Sequence, residues 1–214
     1  MRILAIGSHI DDIEIGCGGT LALAVQRGHD VYMLVMSGSD YNDLNGESRR
    51  TAQQAMDEGQ AAVRALDVKD FEVLDFPTKD VPYDSRSVEA IETRLRAFKP
   101  DTILTHWPHD THQAHRATSM ASISAARYFN TILFYEPMTP SGRSYHPFRP
   151  QVYVDLDPQA VQAKEAALRA HESQYQRYGK LWLEAVLARG VHRGYEIGVG
   201  HAECFETLRL QWNF

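Results

Sequence analysis

The sequence predicts an α/β protein, a single domain over residues 1–214 built as a Rossmann-like, mostly parallel sheet flanked by helices. Short apolar runs of strand length alternate along the chain with amphipathic segments of helical period. Most apolar runs stop at a polar or glycine-containing segment, as parallel strands do before a crossover. No composition break or repeat divides the 214 residues, and a domain of this length buries roughly 70% of its unfolded surface.

Residues 2–7 are the first apolar run, ending at Ser8-His9, and residues 18–27 read as a helix stopped by Gly28-His29. Residues 31–36 are the second strand. Residues 48–66, rich in Ala, Gln, Arg and Glu, place Ala55, Ala62, Val63 and Leu66 at helical spacing. A third strand over 71–76 precedes a helix over 87–98 with Val88, Ile91, Leu95 and Phe98 on one face. Residues 101–105 form a fourth strand that ends at a histidine-rich segment. A helix over 116–127, a strand over 131–135 and a proline-rich loop over 136–150 follow, then a strand over 152–156 and a polar helix over 158–174. The last part reads as a helix over 181–189, a glycine-punctuated loop over 190–200 and a terminal segment over 202–212.

Composition narrows the partners. The formal charge is −6, so there is no basic excess to displace counterions from nucleic acid, and a small-molecule partner is expected. No stretch approaches the roughly 20 apolar residues of a membrane span and no signal peptide opens the chain, so the expected location is cytoplasmic. The chain has only two cysteines, Cys17 and Cys204, against ten histidines. A cysteine-rich zinc cage is therefore excluded, and any metal site must use imidazole and carboxylate. Both cysteines are isolated, which favours small core residues over a nucleophile. Gly16-Cys17-Gly18-Gly19 lacks the G-x-G-x-x-G spacing of a dinucleotide site.

Two polar clusters follow strands. His9-Ile10-Asp11-Asp12-Ile13-Glu14 holds adjacent carboxylates, which repel one another unless a cation or a helix N-terminus is near; Asp11 or Asp12 as a helix N-cap is the plainer reading. His106-Trp107-Pro108-His109-Asp110-Thr111-His112-Gln113-Ala114-His115-Arg116 is the second. In a doubly wound sheet both face the crevice beyond the carboxyl ends of the strands. One His and one Asp from the first cluster with one His from the second make a two-His, one-carboxylate set with open positions, suited to zinc or ferrous iron. A spare carboxylate beside it then serves as base, and the implied chemistry is amide or ester hydrolysis.

These segments resemble the PIG-L/LmbE-like zinc-dependent de-N-acetylases. Residues Ser8 to Thr20 match the family's (A/P)HPDDxExGCGGT motif nearly throughout, and His106 to Arg116 is similar to its HPxDxHxDHR motif. Weaker similarity runs through Arg50-Thr51, Ala65-Leu66-Asp67-Val68, Phe134-Tyr135-Glu136-Pro137, His171-Glu172-Ser173-Gln174, and the tail Gly200-His201-Ala202-Glu203-Cys204-Phe205-Glu206, which resembles a Y-A-E-x-F ending. The resemblance implies Zn2+ as cofactor, with His9, Asp12 and His115 as ligands and Asp11 as the general base. It makes His112 the group that stabilises the oxyanion or protonates the leaving amine, and Arg50 a substrate-binding residue. The implied reaction removes an N-acetyl group from an amino sugar or glycoside; hydrolysis of another N-acyl or carbamoyl metabolite is the alternative. A homo-oligomer is also implied. Asp110 and Tyr135 are further substrate-site candidates, and Tyr41, Trp107, Tyr135, Tyr145 and Phe148 offer stacking faces for a sugar ring.

The chain departs from the family pattern at two positions. Ile10 replaces proline, which changes only loop stiffness. Ala114 replaces the aspartate between the motif histidines, and its loss leaves His112 less often protonated near neutral pH. Catalysis then is weaker or depends on another group, Asp110 or an acid of the tail, or the chain is a metal-binding homologue with weak or no activity. His201, at the end of a glycine-rich stretch read as a lid over the crevice, is the expected substitute catalytic group.

Overall fold

Alternation along β1 (Arg2–Gly7) sends Ile3 and Ala5 to one face of the sheet and Leu4 and Ile6 to the other, and all are buried. A strand covered on both faces belongs inside a parallel sheet. The computed structural model, which describes residues 1–212, puts it there. β1 pairs in parallel with β2 (Asp30–Ser37) on one side and β6 (Thr102–Thr105) on the other. β5 (Asp70–Phe76) extends the sheet beyond β2, and β7 (Ile132–Tyr135) beyond β6. β9 (Ala202–Arg209) joins β7 antiparallel, and β8 (Val152–Asp155) joins β9 antiparallel. The seven-stranded order is β5-β2-β1-β6-β7-β9-β8, the mostly parallel α/β sheet that the sequence predicts. The order reverses between β1 and β6, so the loops after these strands flank the switch-point crevice.

Helices cover both faces. Ile13 and Leu21 of α1 (Asp12–Gln26), Ala62 and Val63 of α2 (Ala52–Ala65) and Ala167 of α5 (Pro158–Ala170) share one core with Ile3, Met33 and Leu133. Ile91 and Leu95 of α3 (Ser85–Phe98) and Ala121 of α4 (Gln113–Ala125) share the other with Leu4, Leu34 and Ile103. Local chemistry fixes the helix starts. Thr51 Oγ1 accepts from Gln54 N at 3.1 Å, Asp157 Oδ1 accepts from Ala160 N at 2.8 Å, and Asp84 forms a capping box with Ser87.

Several element bounds differ from the sequence reading. The helix expected from residue 48 begins only after Thr51, because Tyr41–Asn42 (β3) and Ser48–Arg50 (β4) pair as a hairpin. Asp43 Oδ1 closes that hairpin by accepting from Asn45 N and Glu47 N. α1 begins at Asp12 rather than residue 18 but is interrupted at Cys17 (φ −146°). Its regular part restarts where the Glu203 carboxylate accepts from Gly19 N and Thr20 N, which is the portion legible as a helix. Gly16 is required at the break, since a Cβ there lies 2.3 Å from the Tyr135 ring.

The helix expected over 158–174 breaks at the buried His171 into α5 and α6 (Glu172–Tyr178). The loop expected over 190–200, with residues 194–200 as a lid, is overturned: α7 (Lys180–Ile197) runs through residue 197. Gly194 there serves close packing rather than a loop, because its Cβ would lie 2.8 Å from the backbone of Gly200 and His201. The left-handed Gly198 (φ 76°) ends the helix. Cys17 and Cys204 are buried free thiols, as expected. Among the described residues no helix is long and apolar enough to cross a membrane.

Candidate active site

The loops after β1 and β6 meet around Asp12. Its Oδ2 accepts from Ser8 N at 3.1 Å and His9 N at 2.7 Å and lies 3.1 Å from His106 Nε2. His115 Nε2 is 3.3 Å from Oδ1, and His9 Nδ1 is 3.3 Å from Oδ2. Burial opposes ionisation of this carboxyl, but His115 and His106 hold it well below the usual carboxylate range.

The neighbouring Asp11 occupies the N-cap position of α1 yet makes no side-chain capping bond. Its backbone is held at φ 145°, a conformation disfavoured for any residue but glycine. The N-cap reading of the acidic pair therefore fails for both members. Asp11 faces the cleft with its pKa pushed up to about 6, first by burial and then by Asp12, against the lowering influence of Arg50, His171 and His9.

The coordinating atoms of His9, Asp12 and His115 lie within 4.8 Å of one another. The far nitrogen of each ring is already engaged: His9 Nε2 lies 3.1 Å from the Thr78 carbonyl, and His115 Nδ1 lies 3.0 Å from Asp110 Oδ2. Such acceptors fix the tautomer and turn the near nitrogen toward a cation. Although burial works against it, Asp12 and Asp110 push the His115 pKa up to about 10. A cation between these groups satisfies the same demand for positive charge. His106, Asp110 and His115 form a second cluster. There, however, His106 Nε2 is taken by Ser8 N and Asp12, and Asp110 accepts from His112 N, Ser141 Oγ and His115. Two imidazoles and one carboxylate opening on a cleft fit a divalent metal such as zinc, so His9, Asp12 and His115 are the better-suited set.

His112 stacks on His115, with ring centroids 4.4 Å apart, and lies 5.1 Å from His9. Its Nδ1 accepts from Ala114 N at 3.3 Å, so its proton sits on Nε2. Burial, then His115 and His9, push its pKa down to about 4. With alanine at 114 no carboxylate stands behind this ring from that position, and His112 is neutral at pH 7.

The expected substrate residues fare differently. Arg50 lines the cleft but is only 3% exposed. Its Nη1 donates to Ile10 O at 3.1 Å and its Nη2 to Glu58 Oε2 at 2.8 Å, while its Nε, buried, has no partner. Asp110 and Tyr135 form part of the cleft wall, but their polar atoms are spent. Asp110 orients His115, and the Tyr135 hydroxyl donates to Ile6 O at 3.0 Å. Neither has the free polar group that the substrate-binding expectation requires. Trp107 is buried with Phe148 against it, and Tyr145, 91% exposed, lies outside the cleft. Of the expected stacking faces Tyr41 remains, beside Tyr135 in the wall. His201 does not line the cleft; its carbonyl accepts from Leu156 N where α7 returns into β9. The catalytic role expected of it has no geometric basis, because the lid that was to carry it is helix.

Sequence reasoning missed two groups. Behind Asp11, His171 Nε2 lies 3.1 Å from Glu14 Oε1, and Glu58 accepts from Ser173 N and Oγ, which braces Arg50 from α6. The segment His171-Glu172-Ser173-Gln174 was the available signal. Arg177, Tyr178 and Trp182 line the cleft mouth, and no local pattern marks them. The cleft encloses about 630 Å³, within the roughly 300–1,000 Å³ of small-molecule sites.

A mostly parallel α/β domain with a His/Asp/His cluster and a free carboxylate at its switch point defines the class of protein. The chain belongs to the PIG-L family, described as GlcNAc-PI de-N-acetylase, which matches residues 4–126. It is 27% identical to the diacetylchitobiose deacetylase of Thermococcus kodakarensis, over 94% of this chain and 81% of that protein. It is 35% identical to the uncharacterized deacetylase YaiS of Escherichia coli, over 80% of this chain and 90% of that one. Among solved structures it resembles the conserved protein TT1542 of Thermus thermophilus, with TM-score 0.83 and 26% identity over 99% of this chain and 96% of that one.

Proposed function

We propose that this chain is a zinc-dependent N-deacetylase that hydrolyses the acetamido group of an amino sugar or glycoside. The observation that carries the reading is the Asp11 carboxylate, half-buried on a strained backbone and without a capping bond, beside three converging ligands whose two imidazoles are anchored by their outer nitrogens. His9, Asp12 and His115 would hold the zinc, which when bound would supply Lewis acidity and lower the pKa of a water. Asp11, with a pKa near the operating range, takes the proton of the attacking water and passes it to the leaving amine as the C–N bond breaks. His112, neutral with its proton on Nε2, donates a hydrogen bond to the developing oxyanion rather than acting as a cation. The missing acid at 114 thus moves proton delivery from His112 to Asp11. The sugar reading draws on relatives that are deacetylases of acetylated sugars.

Acetate release from N-acetylglucosamine and N,N′-diacetylchitobiose by the zinc-loaded protein tests the proposal, with Asp11→Asn alongside. Release that is lost in the variant supports it. Release by neither protein favours a metal-binding homologue without hydrolytic activity, and equal release by both removes Asp11 from the mechanism.

A further inference from the structure

The mouth of the cleft, where α6 turns into α7 beside the β3–β4 hairpin, has a chemistry the proposed reaction does not use. The Arg177 guanidinium lies 4.6 Å from the centre of the Tyr41 ring and 4.9 Å from that of Tyr178. Among the described residues it has no ion pair, and its N–H groups have no hydrogen-bond partner. The other cations of the cleft are engaged: Arg50 is sealed by Glu58 and Ile10, and Lys79 Nζ reaches Asn42 O at 3.4 Å. An arginine side chain carries about 2 kcal/mol of rotamer entropy, and two aromatic faces that hold it in place reduce what a ligand must offset. Arg177 lines the cleft, and its planar fork of donors, without a partner among the described residues, suits a carboxylate or phosphate bidentately.

We propose that Arg177, clamped by Tyr41 and Tyr178, is a specificity-determining residue that binds an oxyanion carried by the substrate away from its N-acyl group. The substrate class is an N-acylated compound, a sugar on the reading above, bearing a carboxylate or a phosphate. The inference rests on the deacetylase reading only for which bond is cleaved.

Calorimetry on the zinc-loaded protein tests it with glucosamine, muramic acid and glucosamine 6-phosphate, amines that need no turnover. Acetate release is followed in parallel from their N-acetylated forms. At least one anionic amine binds about tenfold tighter than glucosamine, the scale of one charge-assisted bidentate contact, and which one wins identifies carboxylate or phosphate. Arg177→Met removes that preference and leaves glucosamine affinity unchanged, while Arg177→Lys restores only part of it. In the wild type the preference shrinks as ionic strength rises, a readout that needs no variant.

Equal binding of all three amines overturns the proposal. So does a preference that survives Arg177→Met, which would seat the anion on the metal, or a loss in that variant that is equal for all three. Anion preference without acetate release from any probe sinks the deacetylase reading and leaves the subsite standing. Release from N-acetylglucosamine with no anion preference does the reverse.

Discussion

The floor of the cleft and its mouth satisfy their polar groups in opposite ways. On the floor His9, His106, Asp12, Asp110 and His115 hold one another or backbone groups at 2.7–3.3 Å, whereas Asp11, at the N-cap of α1, makes no side-chain capping bond. At the mouth Arg177 is exposed and steadied by rings rather than by counter-charge. The floor comes from two contiguous loops at neighbouring strand ends. The mouth comes from a hairpin and a helix corner distant in sequence. Bond-breaking chemistry requires fixed geometry, so substitutions on the floor act on kcat or on the metal. Recognition of a distal group does not, so substitutions at the mouth act on KM.

Asp11→Asn is the hardest blow to the floor. It lowers kcat about 10²–10⁴-fold, the usual contribution of a general base, with metal content by elemental analysis unchanged. Retained turnover would remove the functional distinction between the two regions. Next in size is Glu58→Ala, which strands the buried Arg50 guanidinium and costs about 3–5 kcal/mol in urea unfolding. Arg177→Met, at an exposed position, stays within about 0.5 kcal/mol; similar losses for the two would erase the contrast in bracing.

Asp110→Asn removes the carboxylate behind His115 Nδ1 and weakens metal affinity about 10–100-fold in chelator competition. The smallest effect is a pH dependence on the cleft's far wall. Burial raises the Glu136 carboxyl, but Arg193 and Arg189 outweigh it and hold the pKa below the usual range. A folded-state pKa below the unfolded one contributes stability above the unfolded value, and that contribution is lost as pH falls through the folded value. Wild type therefore loses Tm as pH falls below roughly 4.3, the unfolded Glu value. Glu136→Gln is less stable at pH 7 and flatter across that acid window.

The floor is legible because each half of it is continuous in sequence and begins where an apolar strand ends. The acidic pair after β1 and the histidines after β6 need only the switch-point rule to bring them together. Roles within the floor are less legible. Asp110 and Tyr135 look available for substrate, yet tertiary partners take their polar atoms. The expectation for His201 fails for one reason: Gly190 and Gly194 read as loop residues, whereas Gly194 lets α7 pack against the chain entering β9. His171 interrupts a continuous helical pattern because its ring is committed to Glu14, a contact across 157 positions that no local period records.

By itself the sequence predicted the mostly parallel α/β sheet and most of its elements in order, and its resemblance to a known family singled out His9, Asp11, Asp12 and His115. Apolar alternation and motif spacing are local quantities, and they survive in a linear string. Only the tertiary structure decided which polar groups are spent on their neighbours and which remain open: Asp11 without a capping bond, Arg50 sealed and Arg177 unpartnered among the described residues. Hydrogen-bond satisfaction and desolvation depend on residues that the fold brings near, not on those that the chain places beside them.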